Sequence, residues 1–374
     1  MPSWLKEGRG SLCGANVSLL LREMGITKPL LVAGERTKNV FFARTGMRLP
    51  VFDAFHPNPD LQDCVAGAAL YQEKGCDGLI SVGGGSAMDT AKGIKALLMT
   101  DIAHVRANQL PSEGNVPHLA IPGTAGTGAE TTAVAVLYED GQKLSVDHPA
   151  LLPDGVLLDG SLLDTLPEYH RKSCAMDALA QGIESWWAKK ATPGSRIHAE
   201  RAIRGVLDNL TAYLQGDRKA QDEMLHAAYE SGVAILTTRT TAAHAMSYQI
   251  TKKLGAAHGH ACMLTLPHLW AHLAAQAEYQ PILTELSRLL GGEKPMDGAI
   301  LLKGLLAVLE LDKIPMPDDA TLDMLAASVN PERLGNHPEA LTTAQLRAIY
   351  VQAFTPMTDT ERAEAIAAWE QYGK

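Results

Sequence analysis

The residues best equipped for chemistry lie in the second half of the chain. In Met176-Asp177-Ala178-Leu179-Ala180-Gln181, the carboxylate of Asp177 and the amide of Gln181 stand four positions apart, which puts them on one face of a helix. Further on come His244, Tyr248, His258 and His260. His244 and His258 cannot meet on one straight helix, because 14 residues rise about 21 Å. Gly255 and Gly259 offer the break that would fold the second histidine back toward the first. A carboxylate, an amide oxygen and two imidazoles around one cavity would hold a single divalent cation, with Zn, Fe, Ni and Mn all compatible. Scattered histidines are more often solvated or satisfied within a core, so spacing alone leaves both readings open.

Two glycine-rich stretches in the first half suit a different ligand. Ser81-Val82-Gly83-Gly84-Gly85-Ser86 joins an apolar run to a helical one, with Asp89 and Lys92 following. Glycines there let backbone amides approach an anion, a helix N-terminus adds donors, and Ser86 can cap or donate. The pattern is neither GxGxxG nor GxxxxGK[ST], so the two commonest phosphate loops do not apply. Pro122-Gly123-Thr124-Ala125-Gly126-Thr127-Gly128 is the second stretch, with Thr124 and Thr127 as hydroxyl donors. Each alone is explained by a tight turn; together they suit a pyrophosphate-containing cofactor lying across the C-terminal edge of a parallel sheet.

The elements that must position these groups follow from the hydrophobic pattern. Residues 1–166 alternate short apolar runs with helical stretches, the signature of an α/β layer fold with a parallel sheet. Pro29–Ala33, Leu79–Val82, His118–Ile121 and Val156–Asp159 are expected strands, and Thr132–Leu137 and Lys143–Val146 an expected hairpin turning at Asp140-Gly141. After Leu166-Pro167 the sequence turns to Ala/Leu/Glu/Arg-rich segments with i, i+3, i+4 apolar spacing, so residues 167–374 are expected to be all helical. Two domains fit the length and this shift, and clefts between such domains commonly hold ligands. Asn330–Pro338 is the most loop-like stretch of the second half.

Composition narrows the partners. With 33 Lys+Arg against 42 Asp+Glu, the chain carries a formal charge of −9 and no basic run, which argues against nucleic acid and anionic membrane surfaces. No apolar run approaches the roughly 20 residues that span a bilayer, and the N-terminal MPSWLKEGRGSL lacks a signal-peptide core. The five cysteines, Cys13, Cys64, Cys76, Cys174 and Cys262, show no CxxC spacing, so reduced thiols in the cytoplasm are the expectation. The partner expected is a small molecule, with a homodimer the assembly considered.

In this order, Gly83-Gly84-Gly85-Ser86 with Asp89 and Lys92, Gly126-Thr127-Gly128 with Glu130, the Asp177 helix, and His244 to Gly259 followed by Leu264-Thr265-Leu266-Pro267 resemble the iron-containing (group III) alcohol dehydrogenase family over nearly the whole chain. The resemblance implies a dehydroquinate synthase-like fold: an N-terminal α/β dinucleotide-binding domain with a parallel sheet, an all-α C-terminal domain, and a divalent metal in the cleft between them. It implies Asp177, His244 and His258 as metal ligands, with Gln181 where the family's usual fourth ligand is a histidine. Tyr248 stands where many members carry a histidine beside the nicotinamide. Gly34 stands where the family often has the Asp that binds the adenosine ribose, and Arg36, Thr37 and Lys38 follow. Loss of a carboxylate and gain of cations favour a 2′-phosphate, hence NADP(H) over NAD(H).

Asp177 to Gln181, Glu184-Ser185-Trp186-Trp187, Arg239 to Tyr248 and His258 to Ala261 further resemble the phosphonoacetaldehyde reductase branch, in which the Gln and Tyr replacements belong to the pattern. Arg239, Thr240, Thr241 and Ser247 would then bind a phosphonate, with His260 as a further substrate-side group and proton relay. The expected activity is reversible hydride transfer between a nicotinamide and a short anionic aldehyde. A general short-chain alcohol dehydrogenase, a dehydroquinate synthase-like lyase and a metal-free dinucleotide-binding protein are the alternatives.

Overall fold

The structure, a computed structural model, describes residues 6–112 and 116–372. The chain divides into two compact units, Met1–Thr165 and Leu166–Lys374.

The first unit runs β1 (Lys6–Arg9), α1 (Gly14–Glu23), β2 (Pro29–Ala33), α2 (Glu35–Thr45), β3 (Val51–Phe52), α3 (Leu61–Lys74), β4 (Gly78–Gly83), α4 (Gly85–Met99), α5 (Ile102–Arg106), β5 (His118–Pro122), β6 (Val134–Glu139), β7 (Gln142–Asp147) and β8 (Gly155–Leu158). Six strands form one parallel sheet in the order β1-β8-β5-β4-β2-β3. Every residue of β2, β4, β5 and β8 is buried, which is why these strands read as continuous apolar runs: a sheet covered on both faces needs no polar side. Alternation then divides one strand between two cores. Leu30 and Val32 pack with Leu61 and Cys64 of α3 and Ala91 and Ile94 of α4, whereas Leu31 and Ala33 pack with Val17 and Leu20 of α1 and Phe41 of α2.

β6 and β7 form a separate antiparallel ribbon, turning through Asp140 (φ 49°) and Gly141 (φ 71°) as an Asp-Gly hairpin should. Its first strand begins at Val134 rather than Thr132, because Thr132 accepts a hydrogen bond from Lys92 and closes a 3-10 turn over Ala129–Thr131. Asp159 likewise falls outside the last strand. Its carboxylate caps the following turn at Ser161 N (2.9 Å) and accepts from Leu12 N (2.6 Å). The polar edge strand β1 and the two-residue β3 had no apolar run to announce them.

The second unit is helical throughout its described residues: α6 (Glu168–Trp187), α7 (Pro193–Leu214), α8 (Arg218–Thr238), α9 (Ala242–Gln249), α10 (His258–Ala274), α11 (Gln280–Leu289), α12 (Asp297–Val308), α13 (Asp319–Ala327), α14 (Pro331–Leu334), α15 (Thr343–Phe354) and α16 (Asp359–Tyr372). Fourteen of the 20 residues of α6 are buried, so it is a central rather than an amphipathic surface helix. A π-helical turn, Ile250–Leu254, follows α9 and ends at Gly255, whose φ of 75° is the left-handed conformation that redirects the chain into α10. Gly259 serves differently from the break expected of it. It lies inside α10, where a Cβ would stand 1.9 Å from Ser173 O and 2.7 Å from Asp177 N, so its bare backbone lets α10 rest directly on α6. Among the described residues no helix is long and apolar enough to cross a membrane.

Candidate functional site

Three helices of the second unit deliver one cluster of donor atoms. α6 supplies Asp177, α9 supplies His244, and the first turn of α10 supplies His258. His244 Nε2 lies 3.2 Å and His258 Nε2 3.9 Å from Asp177 Oδ1, and the two imidazole rings are 5.3 Å apart at 72°. The close approach at Gly259 and the turn at Gly255 together bring residues 14 apart in sequence to one carboxylate.

Each ring is fixed from behind. Glu184, two turns beyond Asp177 along α6 and wholly buried, meets His244 Nδ1 with Oε2, while its Oε1 accepts from Thr241 Oγ1 (2.6 Å) and Ala243 N (2.7 Å). Trp187 Nε1 donates to the same Thr241 hydroxyl at 3.1 Å. Ser247 Oγ donates to His244 O (2.8 Å) and lies 3.2 Å from His258 Nδ1. With Nδ1 of both rings committed to a carboxylate or hydroxyl, both Nε2 atoms are directed to Asp177, the arrangement by which an outer partner sets the tautomer of a metal-binding histidine.

Gln181 also reaches the cluster, but edge-on. Its carbonyl oxygen accepts from Ser231 Oγ at 2.8 Å, and its amide nitrogen faces Asp177 Oδ1 at 3.5 Å. It thus offers Asp177 a donor and keeps its oxygen on α8. A fourth donor, not foreseen from the sequence, completes the group: the thiol of Cys262 on α10 lies 3.8 Å from His258 Nε2. The ligand atoms of Asp177, His244, His258 and Cys262 all lie within 4.8 Å of one another. The signal was present as His258-x-x-x-Cys262, an i, i+4 pair on one helix face.

The electrostatics agree with a charge-organised site. Burial alone would raise the Asp177 carboxyl, but His258 and His244 outweigh it and hold it below the usual value. Burial disfavours charge on the rings as well, yet Cys262, Glu184 and Asp177 hold His244 well above the ordinary imidazole value, and Cys262 and Asp177 raise His258 to about 9. Burial of Cys262 is outweighed in turn by the two histidines, which draw its thiol down to about 7. A buried carboxylate, two oriented imidazoles and an acidified thiol fit a divalent transition metal.

Of the residues expected around a substrate, several prove to be committed elsewhere. Thr241 and Ser247 orient the two histidines, as described. His260 is buried, with Nε2 on Leu311 O (2.8 Å) and Nδ1 on Tyr169 OH (3.1 Å), so neither nitrogen is left for a relay. Tyr248 lies against the cluster, its ring parallel to that of His258 (3°) with centroids 6.1 Å apart. Arg239 and Thr240 form the link from α8 to α9. Arg239 holds φ at 63°, a strained value for a non-glycine residue, and Arg333 Nη1 comes within 3.3 Å of Thr240 Oγ1.

In the first unit, the two glycine stretches lie side by side at the C-terminal ends of β4 and β5. Gly123 N donates to Gly83 O at 2.8 Å, a Cβ on Gly84 would stand 3.1 Å from Thr124, and one on Gly85 would stand 3.7 Å from Thr127. This bare backbone next to the start of α4 is a cradle a side chain would fill, and it fits a pyrophosphate. Ser86 borders it, accepting from Asn58 N at 3.2 Å. Asp89, expected beside the cofactor, instead accepts from the backbone of Val136 in the hairpin; burial pushes its carboxyl up to about 6. Lys92 is a buried clamp, donating to Ala129 O (2.7 Å), Val134 O (2.9 Å) and Thr132 Oγ1 (3.1 Å), which fixes the exit of the second glycine loop to α4. Gly34 caps α2 with open space where a Cβ would be. Thr37 Oγ1 pins that helix to Val82 O (2.9 Å). Arg36 reaches Thr165 (2.6 and 2.8 Å), and Lys38 is shared by Glu35 (2.5 Å) and Asp53 (2.6 Å).

Comparison with known proteins matches residues 3–160 to the family described as iron-containing alcohol dehydrogenase, and residues 172–354 to the C-terminal part of that family. The chain is 34 % identical over 250 residues to a probable alcohol dehydrogenase EutG of Escherichia coli (strain K12), covering 65 % of this chain and 60 % of that protein. It is 35 % identical over 228 residues to a phosphonoacetaldehyde reductase of Streptomyces viridochromogenes, covering 57 % of this chain and 58 % of that one. These alignments span less than two thirds of either curated relative. A crystal structure of sulfoacetaldehyde reductase from Bifidobacterium kashiwanohense in complex with NAD+ superimposes with a TM-score of 0.85 at 26 % identity, covering 95 % of this chain and 97 % of that one.

Proposed function

We propose that this chain, which belongs to the iron-containing alcohol dehydrogenase family, is a metal-dependent aldehyde reductase that uses NADP(H) and acts on a short anionic aldehyde such as phosphonoacetaldehyde. The observation that carries the reading is the convergence of Asp177 Oδ1 with Nε2 of His244 and His258, each ring held from its other nitrogen. Asp177, His244 and His258 would hold the metal, and the glycine cradle of β4 and β5 the pyrophosphate of the dinucleotide. When bound, the metal supplies Lewis-acid polarisation of a carbonyl and the nicotinamide supplies the hydride.

The chain's own residues do the rest. Glu184 and Ser247 keep the two imidazoles in the tautomer that presents Nε2, so no reorientation is needed when the site fills. Tyr248, its ring parallel to that of His258, would supply the proton that an alkoxide requires. Arg239 and Thr240 on the link from α8 to α9, with Arg333 Nη1 3.3 Å from Thr240 Oγ1, would be the donors for an anionic tail, of the kind suited to phosphonate.

For the dinucleotide, the open position at Gly34 leaves room for a 2′-phosphate, and Lys38 stands one turn further on. Its partner Glu35 is exposed and Asp53 half-exposed, and solvent screens ion pairs at such surfaces, so a phosphate can recruit Lys38 from them. The five cysteines are all unpaired, in keeping with a cytoplasmic enzyme. The test is kcat/KM for phosphonoacetaldehyde against propanal and lactaldehyde, with Arg239→Ala alongside. A preference for the anionic aldehyde that Arg239→Ala removes supports the reading; equal efficiency on all three, unmoved by the substitution, reduces it to a general short-chain alcohol dehydrogenase.

A further inference from the structure

We infer that the thiolate of Cys262 is the fourth protein ligand of the metal, taking over the coordination position that Gln181 vacates; the inference rests on the metal-site reading above. Gln181 occupies the place from which a side chain on α6, one turn after Asp177, would complete the donor set. As it stands its carbonyl oxygen accepts from Ser231 Oγ at 2.8 Å, and what faces Asp177 is the amide nitrogen at 3.5 Å, a donor group that repels a cation. Cys262 approaches from the other side of the cluster, one turn after His258 on α10 and fully buried.

The distances suit four-coordinate binding. Bonds of about 2.0–2.1 Å to nitrogen or oxygen and about 2.3 Å to sulfur place tetrahedral neighbours roughly 3.4–3.6 Å apart. Asp177 Oδ1 to His244 Nε2 is 3.2 Å, Asp177 Oδ1 to His258 Nε2 is 3.9 Å, and Cys262 Sγ to His258 Nε2 is 3.8 Å. No pair among the four ligand atoms exceeds 4.8 Å. Drawing the widest pairs in to such lengths takes side-chain movements of about 1 Å. Exchange of a neutral ligand for a thiolate changes the site's chemistry. It adds a negative charge, softens the donor set, and favours Zn(II) or Co(II) over hard, oxygen-seeking cations such as Mg(II) or Mn(II).

The experiment loads chelator-stripped full-length protein with Co(II) and records metal content and absorption spectrum, for the wild type, Cys262→Ser and Gln181→His/Cys262→Ser. The wild type should bind one Co(II) per chain with a near-ultraviolet thiolate-to-cobalt charge-transfer band. Cys262→Ser should lose the band and bind at least tenfold more weakly, and the double variant should recover affinity without the band. One bound Co(II) in the wild type with no such band overturns thiolate ligation while leaving the metal centre standing. Failure of the wild type to bind Co(II) at all overturns both.

Discussion

The closeness of α10 to α6 at Gly259 is what makes the metal cluster possible, and it can be perturbed with one methyl group. A Cβ at position 259 would stand 1.9 Å from Ser173 O and 2.7 Å from both the backbone nitrogen and the Cβ of Asp177. An ordinary C···O contact is about 3.3 Å, so Gly259→Ala must part the helices by roughly 1.4 Å along that line. The obstacle is backbone, which has no rotamer to escape into. Overpacking of this kind costs about 1–3 kcal/mol, offset by up to about 1 kcal/mol from the better helix propensity of alanine. A net loss of about 1 kcal/mol lowers Tm by about 2–4 °C in a unit of this size. The functional loss should be larger, because His258 precedes Gly259 and metal–ligand distances tolerate only about 0.2 Å. We expect Zn(II) affinity to fall at least tenfold. Gly194→Ala is the control, since its Cβ would meet nothing nearer than Thr192 Oγ1 at 3.8 Å. The assay is thermal unfolding of metal-free protein together with competitive Zn(II) titration. If Gly259→Ala matches the wild type in both, the close-approach argument is wrong.

Three further outcomes follow from the same geometry. Glu184→Gln keeps the shape but removes the charge behind His244, and metal affinity should fall about 10- to 100-fold as for other outer-partner losses; unchanged affinity in a competition titration would show that His244 needs no carboxylate. His337 is buried and burial holds it neutral with a value near 4, so the unfolded chain, titrating at 6.5, binds the extra proton; stability is full above pH 6.5 and drains as pH falls toward 4, by about 2 kcal/mol at pH 5. His337→Asn should therefore shrink the difference in urea-unfolding stability between pH 7.5 and pH 5 by about that amount, and an identical difference in both proteins would refute it. Gly34→Asp puts a carboxylate at the position we propose for a 2′-phosphate, so the ratio of kcat/KM for NADPH to that for NADH should drop at least tenfold, and a constant ratio would remove Gly34 from cofactor selection.

The sequence made some levels of this molecule legible and concealed others for physical reasons. β2, β4 and β5 are buried on both faces and so stand out as apolar runs, whereas β1, Lys-Glu-Gly-Arg at a sheet edge, carries no such mark. The Asp140-Gly141 turn could be read from two residues because few dipeptides adopt its backbone. Asp177, His244 and His258 were visible as metal-ligand types at suggestive spacings, and the chain does bring them together. What spacing could not show was which polar neighbours the protein itself had already taken. Thr241, Ser247, His260, Arg36 and Lys38 all look available in one dimension and all have protein partners in three. Cys262 carries no mark of a ligand in one dimension, because its partner is not a second cysteine but the histidine one helical turn before it.

Carbonyl reduction, as proposed, depends on a metal held by the α6, α9 and α10 cluster. The most direct measurement takes protein stripped of metal, reloads it stepwise with Zn(II), Co(II) or Fe(II) under anaerobic conditions, and follows NADPH oxidation with aldehyde against metal bound per chain. Activity should rise in proportion to metal and saturate at one per chain, and His258→Ala should bind NADPH normally yet stay inactive at every loading. Full turnover by the stripped protein, or by His258→Ala, would contradict the account.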